Sequence, residues 1–388
     1  MGDTLVVSKP SSSGARRGEG DGGGAGGHRP IRVCLVAPSL DVPGGQAIQA
    51  ARLSRGLRQL GSIAVGFVPI NPKLPGVLRL LQRVRYVRTV VTSLRYVWAL
   101  LVSLAKYDII HVFSASYFSF VLAPTPAVLL GKWYGKHVIL NYRSGEAEDH
   151  LRRWRRTALP VMRLADAVIV PSGYLVGVFA RAGLRARAVP NVVDFEQFRF
   201  RERPPLRPLF LSNRDFAPHY NVACVLRAFA TIQRSYPHAR LTVAGDGEQR
   251  GALMRLAREL ELHNVEFVGR VAPDRMARLY DAADVLLNAP NVDNMPGSLL
   301  EAFASGLPVV TTDAGGIPYI VRDGETGLMV RRGDHEAMAA AALRLLSDPA
   351  LAGRLITRAR DECRRKYAPE VVLAEWRKVY ESLVGAVR

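Results

Sequence analysis

What the chain lacks narrows the question first. Its three cysteines, Cys34, Cys224 and Cys363, are scattered through 388 residues. An odd, dispersed set makes neither a disulfide framework nor a metal-ligand spacing, and implies buried apolar thiols in a reducing compartment. No Gly-x-Gly-x-x-Gly follows a strand with a ribose-binding acid beyond it, so a nicotinamide-dependent oxidoreductase is without its fingerprint. Acidic residues are scarce: 34 Asp and Glu face 53 Lys and Arg, a net charge of +19. That favours an acidic partner, namely phosphate-bearing substrates, an anionic membrane or a nucleic acid. Aromatics make up only 8% of the chain and are not interleaved with Lys and Arg as in an RNA-binding sheet, so no nucleic acid is expected. Residues 1–29 lack the apolar core of a signal peptide and are rich in Gly, Ser and charge; a disordered tail is expected.

What is present is strand–helix alternation, with 48% hydrophobic residues, enough for two domains. Residues 31–38 read as a buried strand, followed by Pro43-Gly44-Gly45 and a helix over 46–61. A Gly-Gly turn between strand and helix can cradle a phosphate, or simply turn. Residues 71–106 are apolar and basic together. Leu78, Leu81, Val84, Val87, Val90, Val91 and Leu94 recur at helical spacing among Arg79, Arg83, Arg85, Arg88 and Arg95. Within this stretch the longest charge-free run, residues 96–105, is too short to span a bilayer. The spacing predicts a helix whose apolar face covers the core, with arginines free to meet an anionic membrane. A strand at 108–112 holds His111, open to either a core or a catalytic role. A helix follows over 119–134, then a strand at 136–141 leading into Arg143 and Glu146. Four arginines between 152 and 156 sit on a further helix, with strand 166–172 beyond. Residues 200–208 carry three prolines and three arginines and read as a linker. The alternation then restarts, which implies a second parallel sheet.

The densest stretch is 285–330. A short strand at 285–287 leads to a loop around Asp293. A helix starts at Pro296 and runs over 298–304, where Gly306 and Pro308 end it. A β-branched strand at 309–312 precedes Gly315-Gly316. The free amides of Gly297, Ser298 and Leu299 attract anions. Helical side chains lean toward the N-terminus, so Glu301 can share one crevice with Asp293. Arg214, at the end of a strand over 209–212, can clamp a diphosphate bidentately. Amides for a diphosphate and carboxylates for hydroxyls together suit a sugar nucleotide.

At these residues the chain resembles the family 4 retaining glycosyltransferases of the GT-B fold. The family's signature is Glu-Gly-x-Pro-x-x-x-x-Glu-Ala, then small-x-Gly-x-Pro-Val-Val and a Gly-Gly turn. Here Glu301, Ala302, Gly306, Pro308, Gly315 and Gly316 match; Asp293 replaces the first glutamate and Asn294 the glycine, and the loop proline falls at Pro296. The resemblance covers roughly residues 30–388. It implies an α/β fold of two Rossmann-like parallel-sheet domains facing a crevice. Residues 30–199 would form the acceptor side, 200–208 the linker, 209–368 the nucleotide-sugar domain, and 369–388 a helix crossing back. Asp293, Glu301 and Arg214 would be catalytic. Gly44, Gly45, Gly269, Arg270, Met295, Pro296, Gly297, Ser298 and Leu299, with Arg214, Asp293, Asn294 and Glu301, would hold the donor. Arg143 and Glu146 would face the acceptor.

The implied reaction moves a sugar from a nucleoside-diphosphate donor to an acceptor hydroxyl with retention. No Asp-x-Asp is present to clamp a metal, and no cofactor beyond the donor is implied. Leaving-group charge would fall to Arg214 and helix N-termini, and the departing phosphate could deprotonate the acceptor. The acceptor would be a glycan, a lipid-linked molecule or a small molecule; the location would be cytoplasmic, with the inner membrane face as a further candidate. Three positions depart from the pattern: Phe113 and Arg143 stand where histidines are usual, and Tyr220 where a lysine is. In the family's Pro-Asn-Gly-Val-Asp turn, Val192 replaces the glycine. An epimerase or phosphorylase on the same fold, or a catalytically silent sugar-nucleotide-binding module, are the rival readings. Sugar, base, acceptor and oligomeric state stay open.

Overall fold

The computed structural model describes residues 29–39, 44–73, 85–203 and 205–385, without the side chains of residues 85 and 86. Residues 1–28 of the tail expected over 1–29, Pro43, Leu78, Arg79, Leu81, Arg83, Val84 and the Arg85 side chain lie outside the described residues.

The first sheet contains β1 (Ile31–Ala37), β2 (Ile63–Pro69), β3 (Ile109–Ser114), β4 (His137–Tyr142), β5 (Ala167–Val170) and β6 (Arg187–Ala188), in the order β2-β1-β3-β4-β5-β6. The second contains β7 (Leu209–Asn213), β8 (Arg240–Ala244), β9 (Val265–Gly269), β10 (Val285–Asn288), β11 (Val309–Thr312) and β12 (Leu328–Val330), in the order β12-β11-β10-β7-β8-β9. All neighbouring strands are parallel. The inner strands are apolar on both faces, as sheets covered on both sides require; every residue of β3, β10 and β11 is buried. Strand order reverses between β1 and β3 and again between β7 and β10. Such switch points open a crevice beyond the C-terminal strand ends, where ligands bind.

Around the first sheet lie α1 (Gly45–Gln59), α2 (Arg85–Ser103), α3 (Tyr117–Leu122), α4 (Pro124–Trp133), α5 (Ala147–Arg153), α6 (Arg155–Leu164) and α7 (Gly173–Arg181). Around the second lie α8 (Val222–Ser235), α9 (Arg250–Glu259), α10 (Pro273–Ala282), α11 (Gly297–Ser305), α12 (His335–Ser347) and α13 (Pro349–Tyr367); α14 (Pro369–Gly385) closes the described chain. Val372, Trp376, Val379 and Tyr380 of α14 pack with Val33, Leu35, Ile109 and Phe113 of the first sheet.

Four local expectations are corrected. The helix expected over 119–134 is two helices, because Pro124 has no N–H to continue a ladder and starts α4. The arginine run at 152–156 is split at Trp154 between α5 and α6, and Arg152 and Arg153 both bind Asp149. Pro296 is the capping residue and the helix proper begins at Gly297. The stretch 200–208 is not a free linker: Arg201 and Arg207 pair with buried Asp284, and Arg203 donates to the carbonyls of Tyr280, Ala283 and Ser305. Burial lowers the Arg203 pKa to about 9. Val193 and Phe198 already pack in the core of the second unit, ahead of the boundary drawn at residue 199.

The helix expected over 71–106 is corrected most. Where described, it starts at Arg85, and the apolar stripe read from the sequence faces out: Val87, Val90 and Leu94 are exposed, as are Trp98 and Val102. The core side is a second stripe, Tyr96, Leu100 and, just beyond the helix, Leu104. Residues Val87–Lys106 are long and apolar enough to cross a membrane by length and composition. Their inner stripe is nevertheless committed to the core of the first unit.

Candidate active site

Both switch points open on one cleft of about 490 Å³, a size that admits a sugar nucleotide. Its second-unit wall is built at the β7/β10 crossover. Arg214, just past β7, pairs with the Asp293 carboxylate in the loop after β10, and its Nη1 lies 3.4 Å from Ser298 Oγ at the start of α11. The guanidinium carbon sits 3.9 Å from the Tyr220 ring centroid. Burial pulls the Arg214 pKa down, but Asp293 and the neighbouring Tyr220, Asp215 and Tyr280 outweigh it and hold it above its usual value. Tyr220 thus does not supply a second cation; it lies against the first.

The Asp293 loop is held by backbone. Gly315 has φ +50°, and a β-carbon there would collide with the Asp293 carbonyl oxygen; one at Gly316 would collide with that of Asn294. The Gly316 amide donates to the Asp293 carbonyl at 3.1 Å, and Asn294 N donates to Asp293 Oδ1 at 2.8 Å. Gly306, at φ +73°, ends α11 in the left-handed conformation.

Glu301 is buried and lines the same cleft. Arg52 Nη2 of α1 donates to its Oε1 at 2.8 Å, and the Tyr280 hydroxyl donates to Oε2 at 3.1 Å. The pair Arg52–Glu301 therefore joins the two units. Gln49, one turn earlier on α1, exchanges hydrogen bonds with the backbone of Val192, and Asn191 Nδ2 donates to the Met295 carbonyl at 2.9 Å. Ser172 bonds Asn294 from the first unit. Arg52, Gln49 and Tyr280 were not picked out from the sequence, and Asn191 and Ser172 were read only as parts of turns, not as site residues. The available signal was Gln49 and Arg52 one turn apart, polar residues on a face whose neighbours Ala50 and Leu53 are core.

On the first-unit wall, Gly44 and Gly45 line the cleft with Arg143, Ser144, Gly145 and Glu146; Arg270 lines it beside β9, whereas Gly269 itself does not. Leu299 lies in the core rather than in the cleft wall. A β-carbon at Gly145 would be 3.3 Å from Asp293 Cα, so the loops after β4 and β10 nearly touch. His111 is fully buried between Tyr380 and Asn141 and outside the cleft lining. Burial first, and Arg143 second, lower its pKa to about 3, so it is a neutral core histidine. Among the described residues no group of three His, Cys, Asp or Glu side chains could hold a metal ion. Cys34, Cys224 and Cys363 are buried and free.

Several polar atoms of cleft-lining residues are buried without a hydrogen-bond partner among the described residues: Arg214 Nε, Asn213 Oδ1, Asn191 Oδ1 and Asn294 Nδ2. Buried polar groups are rarely left unpaired, and a cluster of them around a cleft marks where ligand atoms would complete the bonding.

Two parallel-sheet units facing a cleft built at their switch points define a GT-B architecture. Residues 43–197 match the family described as Glycosyltransferase Family 4, and residues 194–362 that described as Glycosyl transferases group 1. The chain belongs to the family 4 glycosyltransferases. It is 33% identical over 209 residues to an exopolysaccharide phosphotransferase of Streptomyces coelicolor, a match covering 53% of this chain and 22% of that protein's length. It is 27% identical over 394 residues to phosphatidyl-myo-inositol mannosyltransferase of Mycolicibacterium smegmatis, covering 92% of this chain and 95% of that one. The fold of Anabaena HepE, solved in complex with UDP-glucose, superposes with a TM-score of 0.73 at 17% identity over 91% of this chain and all (100%) of HepE.

Proposed function

We propose that the protein transfers a sugar from a nucleoside-diphosphate sugar to an acceptor hydroxyl, with retention and without a metal. The observation that carries this is the constellation at the β7/β10 crossover. Arg214, the α11 N-terminus and the unpaired buried atoms of Asn191, Asn213 and Asn294 converge on one cleft. Arg214 and the free amides of α11 would take the developing charge of the departing diphosphate. Asp293 orients Arg214, and Glu301, held by Arg52 and Tyr280, keeps lone pairs for sugar hydroxyls. No side chain is assigned as a nucleophile; the departing phosphate takes the acceptor proton on the same face. The donor bound to HepE makes UDP-sugars the first to try. Incubation with a panel of nucleotide sugars, with and without chelator, tests the reading by anomer-resolved NMR of product. An α-linked product from an α-donor in chelator supports it. Inversion, or turnover only with added metal, counts against it.

We further place the protein at the inner, anionic face of a membrane. The outer stripe of α2 is continuous in kind with Phe118 of α3 and with Leu129 and Trp133 of the adjoining α4; Trp98 is 62% and Trp133 73% exposed. Lys106, exposed, and Lys136, half-buried, flank it. Apolar residues rimmed by cations suit an anionic lipid surface and a lipid-linked acceptor. Vesicle flotation should rise with anionic lipid content. Flotation indifferent to lipid charge would discard this placement.

A further inference from the structure

The arginines of the cleft are not equivalent. Arg52 is paired with Glu301, Arg214 with Asp293, and Arg270 is exposed to solvent. Arg143 differs from all three. It is partly buried just past β4, and among the described residues no carboxylate pairs with it. Its Nη1 donates to Asn141 Oδ1 at 3.2 Å, and its guanidinium carbon lies 5.6 Å from the Phe113 ring centroid. Glu146, in the same loop, is exposed and makes no ion pair with it. A guanidinium offers five N–H donors in a fork that fits carboxylate and phosphate. Here that fork is largely unspent, in a place dry enough for burial to lower its pKa to about 10, still charged at neutral pH. A half-buried cation without a counter-charge gains when a ligand supplies one.

The side chain is also fixed from behind. Asn141 Oδ1 accepts from Arg143, so its Nδ2 donates to His111 Nε2 at 2.9 Å. The neutral His111 ring then carries its proton on Nδ1 and donates to the Tyr380 hydroxyl at 2.8 Å. Asn141, His111 and Tyr380 thus act as positioning residues for a cation aimed at the cleft.

We propose that Arg143 binds a substrate oxyanion, a carboxylate or phosphate separate from the donor diphosphate. The diphosphate has its place on the opposite wall, at Arg214 and the start of α11. The second anion belongs either to the sugar being transferred or to the acceptor, and both present the same chemistry to a guanidinium. The proposal rests on the cleft being a nucleotide-sugar site.

The test is calorimetric titration of wild type, Arg143→Lys and Arg143→Gln. The probes are UDP, UDP-glucose, UDP-glucuronate, and inorganic phosphate added to protein saturated with UDP. Thermal melts check that each variant is folded. Arg143→Gln should bind UDP within about twofold of wild type and lose about tenfold or more on one anionic probe, with Arg143→Lys in between. Selective loss of UDP-glucuronate against UDP-glucose puts the anion on the sugar; loss of phosphate puts it on the acceptor. UDP weakened as much as every other probe would make Arg143 a diphosphate ligand and overturn the proposal. Unchanged affinity for every probe would overturn it too. If wild type binds no nucleotide, the nucleotide-sugar reading fails and the proposal that rests on it is overturned with it; UDP bound equally by wild type and Arg143→Gln, with no anionic probe weakened, overturns the proposal alone.

Discussion

The two units meet at one cleft and treat charge in opposite ways. On the second unit the buried or half-buried charges around the cleft and its boundary have partners within reach among the described residues: Arg214 with Asp293, Glu301 with Arg52, Asp284 with Arg201 and Arg207. The loop carrying Asp293 is clamped against glycine backbone that admits no side chain. On the first unit Arg143 is left without a carboxylate, and α2, α3 and α4 present large apolar side chains to solvent. On the proposed reading, a wall whose ionic charges are paired and whose unpaired atoms are neutral amides and one guanidinium N–H suits one ligand of constant chemistry, such as a nucleoside diphosphate. On the proposed reading, a wall with an unpaired charge suits a partner that varies, such as an acceptor or a lipid surface. The contrast separates what the cleft does from what it does it to.

The contrast breaks most sharply at the pair that spans it. Arg52 and Glu301 side chains are only 8% and 11% exposed. Glu301→Ala should strand a buried cation and lower stability by about 3–5 kcal/mol, read as a shift in denaturant midpoint. The double variant Arg52→Met, Glu301→Met should recover most of that; a double variant as unstable as Glu301→Ala would show that packing, not charge, matters there.

A smaller effect is expected at Gly315→Ala, which adds left-handed strain of about 1–3 kcal/mol and pushes on Asp293. Nucleotide affinity should fall with stability. Gly183, at φ +75° with open space around it, is the control: Gly183→Ala should cost stability while leaving nucleotide affinity unchanged. Equal affinity in both variants would separate the Gly-Gly turn from the donor site.

The first unit should dominate the response to acid. His111 and His150 are fully buried, and burial lowers their pKa values to about 3 and about 4, with Arg143 adding to the first and Asp149 opposing the second. Both folded values lie below the unfolded one, so the unfolded chain binds more protons as pH falls. Stability is whole above pH ~6.5 and declines below it by up to about 1.4 kcal/mol per pH unit for each group, until the folded pKa is reached. Melting temperature between pH 7.5 and 5 should drop, with a shallower slope in His111→Phe. An unchanged slope would mean that His111 is not held neutral.

The smallest effect on the site itself should come from Leu94→Ala with Trp98→Ala. Anionic-vesicle partitioning should fall roughly tenfold, following the apolar area lost, while nucleotide affinity stays put. Vesicle binding untouched by the pair would remove α2 from the membrane face.

How far the sequence could be read follows the same division. Gly306 and Gly315 were legible because a left-handed turn leaves a local mark, and Gly316 as the second residue of the Gly-Gly turn, where a side chain would meet the Asn294 carbonyl. Asp293, Arg214 and Glu301 were legible as types at strand and helix ends, but not as partners. Arg52 was missed because its counter-charge lies 249 residues away, and the arginines of the 200–208 stretch because Asp284 sits 77–83 residues on. The α2 helix was misread for a different reason. It is apolar on two faces, and periodicity shows that a face exists without showing which one the core takes.

The most direct measurement is a calorimetric titration of nucleoside diphosphates and their sugars into wild type and Arg214→Ala. The account predicts that one nucleotide family binds wild type without added metal and that Arg214→Ala, still folded, loses about tenfold or more. Binding indifferent to Arg214→Ala, or no nucleotide bound at all, would contradict it.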